Sequence, residues 1–260
     1  MVLRRPLVPS AVMLGCLLAA PLAARQEPAA ADLAQDIAAL KESVKAIQKD
    51  LQEIKALLLA RPAAGPPANV VLDPGTNQFK GEPTAKLTLI EFSDYQCPFC
   101  ARYVRDTYPQ IEKEYVETGK LRYVFLDLPL ESIHKLAFKA AEAANCAGEQ
   151  GKYWEMHDRL FENQKALEPW TTHAEAVGLN VADFETCLAS GRQADEIRRD
   201  MAEARKAGIT GTPGFFLAYT DPKTSTVRTV ATLKGAQPFA AFKAEIDRLL
   251  TEPAKVAEKQ

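Results

Sequence analysis

The sequence contains two cysteines separated by two residues, in the segment Cys97-Pro98-Phe99-Cys100. Cysteines at this spacing exchange disulfides, form a structural bridge or supply half of a zinc site. Zinc would normally need a second such pair or two histidines at ligand spacing, and the histidines are scattered at His134, His157 and His173. The pair therefore predicts redox chemistry without a metal or another cofactor.

The cysteine pair lies between a predicted strand and a predicted helix. Residues 85–92 are apolar and β-prone, which indicates a mostly buried strand. After the pair, apolar residues recur at helical spacing: Val104, Tyr108, Ile111 and Tyr115. Cys97 is therefore expected at the start of the helix, where Pro98 loses no hydrogen bond. Free N–H groups and the helix dipole there can lower a cysteine pKa from about 8.5 to roughly 3.5–7.

Residues 1–24 have the layout of a secretory signal peptide. Two arginines precede an apolar run and a pair of alanines. Prolines bracket the run, which is shorter than the ~20 residues that span a membrane. Cys16 stands in a loose match to a lipoprotein box, but apolar residues continue beyond it. We therefore expect export to a periplasmic or extracytoplasmic space, and we favour this over lipoprotein anchoring at Cys16.

Four cysteines remain after the leader, an even number that fits an oxidising compartment. Cys146 and Cys187 fall in one helical region and could be buried free thiols. Export and the even count favour a structural disulfide between them. The formal net charge of −2 at pH 7 gives no basis for binding nucleic acid.

Residues 33–58 show the heptad pattern of a coiled coil. The apolar positions are Leu33, Ile37, Leu40, Val44, Ile47, Leu51, Ile54 and Leu58. Residues of opposite charge, such as Asp36 and Lys41, occupy the flanking heptad positions at which they favour parallel, in-register pairing of two helices. We interpret a helix at 31–60 as a homo-oligomerisation element. Dimer and trimer both stay open, and a helix that lies on its own domain is the alternative.

An Ala/Gly/Pro-rich linker at 61–69 separates this helix from a domain at 70–252, which a flexible tail at 253–260 follows. In the domain, a strand, a helix and a second strand precede a helical block at about 132–207. Two strands and a closing helix complete it. The first helix is expected to break or kink at Pro109. This order predicts an α/β, thioredoxin-like fold with a helical insertion.

Three segments carry a resemblance to a known family. They are EFSDYQCPFC at 91–100, CAGEQGKYWEMHD at 146–158 and GTPGFF at 211–216. With these segments in this order, the chain resembles the DsbA-like thiol–disulfide oxidoreductases over roughly residues 70–250.

The resemblance implies roles for individual residues. Cys97 would be the attacking, solvent-facing thiol and Cys100 the buried, resolving thiol. The peptide bond before Pro213 would be cis, and the Thr212 backbone would then lie beside the pair and hold a substrate chain. Glu91 matches an acid beneath the pair that relays a proton to or from the resolving thiol.

The dipeptide Pro98-Phe99 is expected to contact substrate, and it departs from the strongest oxidases, which look like Cys-Pro-His-Cys. Phe99 offers the Cys97 thiolate neither a positive charge nor a hydrogen-bond donor. We therefore predict a less depressed Cys97 pKa and a potential less oxidising than about −120 mV.

These features together predict an exported thiol–disulfide oxidoreductase. Its expected partners are unfolded or misoxidised exported proteins and a membrane redox partner. The heptads favour an oligomeric isomerase or reductase, and a moderate oxidase stays open. The alternative is a coiled-coil adaptor or Cu(I)-handling protein that uses the same cysteines as ligands.

Overall fold

The computed structural model describes residues 30–60, 69–221 and 226–252. These residues fall into two units that divide at Pro62, and each unit is described by itself. Within the described ranges, no helix combines the length and the apolar character that crossing a membrane requires. Some of the predicted features lie outside the described residues: the leader at 1–24 with Cys16, nearly all of the linker at 61–69, and the tail at 253–260.

The N-terminal unit contains the helix α1, Ala30–Ala60. At 1.5 Å per residue this helix is about 46 Å long. Six heptad side chains whose burial is described are 44–65% exposed: Ile37, Leu40, Val44, Ile47, Leu51 and Ile54. The helix thus carries a continuous apolar stripe. Its role in association stays a prediction.

The C-terminal unit is built on a six-stranded mixed sheet in the order β1-β6-β5-β3-β4-β2. The strands are β1 Val71–Leu72, β2 Phe79–Lys80, β3 Leu87–Ser93, β4 Leu121–Asp127, β5 Gly214–Tyr219 and β6 Val227–Lys234. Strand β3 pairs in parallel with β4, and the other pairs are antiparallel. All seven residues of β3 are buried. The two-residue edge strands β1 and β2 were not predicted, because so short a segment has no readable alternation.

Helices cover the sheet and form the predicted insertion. They are α2 Pro98–Asp106, α3 Tyr108–Ile111, α4 Ala137–Gly148, α5 Tyr153–Glu162, α6 Trp170–Ala176, α7 Val181–Ser190, α8 Ala194–Lys206 and α9 Phe239–Thr251. A π-helical turn, Glu112–Val116, continues α3. Helices α4 to α8 lie between β4 and β5 in the chain. The fold is therefore thioredoxin-like with a helical insertion, as predicted.

The first helix breaks close to the predicted position. Helix α2 ends at Asp106, and Pro109 stands in the first turn of α3. A proline is tolerated in a first turn because its missing N–H would have no partner there.

A disulfide joins two helices of the insertion. Cys146 of α4 and Cys187 of α7 are 1.99 Å apart at sulfur and 41 residues apart in sequence. Both side chains are buried. Closing a loop of this length restricts the unfolded chain and typically contributes about 2–4 kcal/mol to stability.

Candidate active site

Cys97 occupies the N-cap position of α2, and Pro98 is the first helical residue. The backbone N–H of Cys97 donates to the Asp94 carbonyl at 3.0 Å, and the Cys97 carbonyl accepts from the Ala101 N–H at 3.1 Å. Among the described residues, no side chain caps this helix. Its first N–H groups are therefore available to the Cys97 sulfur.

The surroundings of Cys97 stabilise its thiolate. Its pKa is lowered to about 6, first by the hydrogen bond from the Cys100 thiol and then by Thr212 and the N–H groups of Cys100 and Phe99. Partial burial acts in the opposite direction. At pH 7 such a thiol is about nine-tenths ionised. The expected effect of the Phe99 side chain on this pKa stays a prediction.

The two thiols differ little in exposure. Cys97 is 4% exposed and Cys100 is fully buried, and both are free thiols. Cys97 was expected to face solvent, but the folded protein leaves little of it exposed. The Thr212 carbonyl lies 3.5 Å from its sulfur. Burial raises the Cys100 pKa well above its usual value, and the charges of Cys97 and Glu91 raise it further. At neutral pH the outer thiol is ionised and the inner thiol is protonated.

Thr212 precedes Pro213 across a cis peptide bond. Its carbonyl accepts from the Cys97 thiol, and its buried hydroxyl finds no partner among the described residues. Once Cys97 has lost its proton it can no longer donate to this carbonyl. The thiolate can instead accept from the hydroxyl, so Thr212 offers an acceptor to one protonation state and a donor to the other.

Replacing Thr212 by valine is expected to raise the Cys97 pKa from about 6 to about 7, because a hydrogen bond to a charged group is worth roughly 1.5–3 kcal/mol. Valine keeps the shape of threonine and removes only the donor. Ultraviolet titration of the thiolate measures the change. Thr229→Val is the control, since the Thr229 hydroxyl bonds the Val70 N–H and not the site. Equal Cys97 pKa values in both variants would contradict the role of the hydroxyl.

Glu91 lies at the middle of the central strand β3. Strand alternation puts it on the same face as Leu87 and Leu89, which belong to the apolar cluster that contains both cysteines. The Tyr123 hydroxyl donates to Glu91 Oε2 at 2.5 Å, whereas the buried Oε1 has no partner among the described residues. Burial raises the Glu91 pKa to about 7. A carboxyl with this pKa can give or take a proton at neutral pH.

Asp94 fastens the segment before Cys97 to the loop after β4. One carboxylate oxygen accepts from the Gln96 N–H at 2.7 Å, and the other accepts from the Leu130 N–H at 2.8 Å and lies 2.8 Å from His134 Nδ1. The side chain of Asp94 is fully buried. His134 therefore supports the redox loop, residues 94–97, from outside it.

The hydrogen-bond contacts of the other two histidines are with groups other than the free cysteines. His157 is fully buried among aromatic rings and contacts Asp158 at 2.8 Å, and His173 Nε2 lies 2.9 Å from the Ala166 carbonyl. Among the described residues, no group of histidine, cysteine and acidic side chains is arranged to hold a metal ion.

Pro98 and Phe99 face outward at the start of α2. Phe99 is 53% exposed, and the Arg102 guanidinium lies 5.2 Å from the centre of its ring. The phenyl ring places no donor on the sulfur and presents an apolar surface beside it. Contact with substrate through Pro98 and Phe99 stays a prediction.

Tyr123 and Gln164 are residues of the site to which sequence reasoning assigned no role. Tyr123 holds the Glu91 carboxyl, and Gln164 contacts the backbone of the redox loop. Strand alternation could have indicated Tyr123, because it shares a sheet face with Phe125 in the predicted second strand. Gln164 lies in a connection between helices, where no pattern indicates what a side chain contacts.

Comparison with known proteins identifies the family and the fold. A family model described as Thioredoxin matches residues 74–234. The alpha-DsbA1 structure from Wolbachia pipientis is 26% identical, with a TM-score of 0.59 over 67% of this chain and 91% of that chain. DsbA2 of Pseudomonas aeruginosa is also 26% identical, with a TM-score of 0.54 over 75% of this chain and 100% of that chain.

A curated relative matches only in part. The Na(+)/H(+) antiporter NhaA 3 of Salinispora tropica is 37% identical over 150 residues, which is 57% of this chain and 22% of the relative. The chain thus spans about a fifth of the length of the curated relatives that it matches. The name Na(+)/H(+) antiporter refers to that whole protein, of which this chain matches 22%.

Proposed function

We propose, since the chain belongs to the thioredoxin family and has a DsbA-like fold, that it exchanges disulfides with exported protein substrates through Cys97 and Cys100. One observation carries this proposal. A thiol that is largely ionised at neutral pH lies at a helix N-terminus beside a buried, protonated thiol, and burial raises the pKa of Glu91, on the preceding strand, to about 7.

In the first step, the Cys97 thiolate attacks a substrate disulfide. A bond forms between Cys97 and one substrate sulfur, and the other substrate sulfur leaves as a thiolate. In the second step Cys100 loses its proton to Glu91 and attacks the Cys97 sulfur. The substrate sulfur is released, the substrate is reduced, and the pair becomes a disulfide. Oxidation of a substrate follows the same steps in reverse, with Cys97 as a good leaving group.

Unfolded or misoxidised exported proteins are the proposed substrates, and a membrane redox partner would reset the pair. The predicted leader and the bonded Cys146 and Cys187 support an oxidising compartment outside the cytoplasm. The position of Thr212 beside Cys97 supports binding of an extended chain there by strand-like hydrogen bonds.

The heptad stripe of α1 supports an oligomeric isomerase or reductase. Its described apolar side chains are 44–65% exposed, and a single amphipathic helix is marginally stable in water. A second copy would bury this stripe and pair Asp36 with Lys41 of its neighbour. Several reduced sites in one assembly suit the repair of wrong disulfides.

Reactivation of scrambled ribonuclease tests this direction, with the full chain and a Leu40→Asp/Ile47→Asp variant. We expect the variant to become monomeric by analytical ultracentrifugation and to lose isomerase activity while it still oxidises dithiols. Buried charges at both stripe positions oppose association. Ala39→Asp/Ala46→Asp puts the same charges, equally spaced, outside the stripe and should stay oligomeric. Equal isomerase activity in all three proteins would remove the case for an oligomeric isomerase.

A further inference from the structure

A glutamine of the helical insertion contacts the backbone of the redox loop. The Gln164 side chain donates from Nε2 to the Tyr95 carbonyl at 2.7 Å and to the Cys97 carbonyl at 2.9 Å. One amide group thus holds two carbonyls, one on each side of Gln96. Gln164 lies 67 residues from Cys97 in sequence.

The backbone that carries Gln164 is itself fixed. The Asn163 side chain donates to the Arg159 carbonyl at 2.7 Å. The Asn163 N–H bonds the same carbonyl, and the Asn163 carbonyl accepts from the Ala166 N–H. These bonds attach the backbone next to Gln164 to the end of α5. They therefore limit the positions that the Gln164 amide can take.

Holding the Cys97 carbonyl has consequences for the sulfur. This carbonyl accepts the first bond of α2 from Ala101, and the Cys97 N–H bonds Asp94. With Gln164 in place, both peptide groups of Cys97 are held, and the sulfur has a defined position relative to the free N–H groups of the helix. Without Gln164, the peptide plane after Cys97 is held only by the helix bond.

We propose that Gln164 is a positioning residue through which the helical insertion fixes the Cys97 sulfur at the N-terminus of α2 and sets its rate of attack. This inference rests on the proposed function, because it explains how the insertion serves the exchange reaction. The helical insertion would then contribute directly to the reactivity of Cys97.

The test compares Gln164→Ala with Gln150→Ala in the full chain. Gln150 also lies in the insertion and makes two side-chain bonds, to the N–H and carbonyl of Asn180. We expect Gln164→Ala to raise the Cys97 pKa from about 6 to about 7. The rate of iodoacetamide alkylation at pH 6 would then fall about fivefold, in proportion to the thiolate fraction. Gln150→Ala should leave both quantities unchanged, although it loses the same number of bonds.

Gln164→Glu is a second variant of the same shape. Its carboxylate would face two carbonyl oxygens, so we expect a larger rise in the Cys97 pKa at neutral pH than with alanine. Should Gln164→Ala fail to fold, the Cys97 pKa of Gln164→Glu, measured by ultraviolet titration of the thiolate, decides the result. If the Cys97 pKa is the same in Gln164→Ala, Gln164→Glu and Gln150→Ala, the proposal is overturned. Alkylation needs no protein substrate, so lack of exchange with proteins in the wild type would contradict the proposed function separately.

Discussion

A Cys100→Ser variant is expected to accumulate as a mixed disulfide between Cys97 and its protein substrate, and multiple turnover is expected to stop. The serine hydroxyl can still donate to the Cys97 sulfur, as the Cys100 thiol does. Cys97 therefore stays largely ionised and continues to attack substrate disulfides. The inner sulfur that would resolve the adduct is missing, so the covalent intermediate persists.

Non-reducing electrophoresis and mass spectrometry of the variant after incubation with scrambled ribonuclease measure this outcome. The adduct should disappear on reduction and should map to Cys97. Cys97→Ser/Cys100→Ser is the matched control and should form no adduct, because Cys146 and Cys187 are already bonded to each other. An active wild type together with an adduct-free Cys100→Ser variant would show that Cys97 does not attack first.

Replacing Glu91 by glutamine is expected to slow resolution by Cys100 and to stabilise the protein at high pH. Glutamine keeps the shape and can still accept from Tyr123, but it cannot exchange a proton. General acid–base catalysis typically contributes about 100-fold or more. We expect a decrease of about this size in the rate of the Cys100 step, and loss of the inflection near pH 7 in its pH profile.

The effect on stability follows from the direction of the pKa change. Glu91 ionises at about 7 in the folded protein and at 4.5 in the open chain. Between these values the folded state holds one more proton than the unfolded state, so the free energy of unfolding falls as pH rises. The decrease is complete above the folded pKa and amounts to about 3 kcal/mol. Glu91→Gln should therefore exceed the wild type in stability by about this amount at pH 8.

Urea unfolding at several pH values separates this effect from a general change in packing. The difference between variant and wild type should shrink as pH falls from 8 to below the open-chain value of 4.5. Glu112→Gln is the control for a carboxylate that is paired with a lysine, Lys80, at 2.7 Å. A stability difference that is constant with pH would contradict a raised Glu91 pKa.

The two thiols of the site have different protonation states at neutral pH. The outer sulfur is stabilised as a thiolate, and the inner sulfur is kept protonated by burial and by neighbouring negative charge. In the proposed mechanism, Glu91 takes up the proton that the second step releases. The separation of the two thiol pKa values fixes which sulfur meets substrate first, since only the ionised form attacks.

The sequence by itself determined the class of chemistry and the elements that support it. The spacing of Cys97 and Cys100, the strand before them and the helix after them are local patterns, and β3 and α2 lie where these patterns predicted. The break near Pro109 also follows from a local rule, because proline cannot continue a helix interior. Features of this kind depend on neighbours within a few residues and can be read from the chain alone.

Only the tertiary structure decided how the thiols are tuned. Tyr123 meets Glu91 across 32 residues of sequence, and Gln164 meets Cys97 across 67. The insertion and the sheet must pack before these contacts exist, and no periodicity records them. Burial is also a property of the packed protein, and burial raises the pKa values of Glu91 and Cys100. The residue types thus specified a redox pair, whereas desolvation and long-range hydrogen bonds set its reactivity.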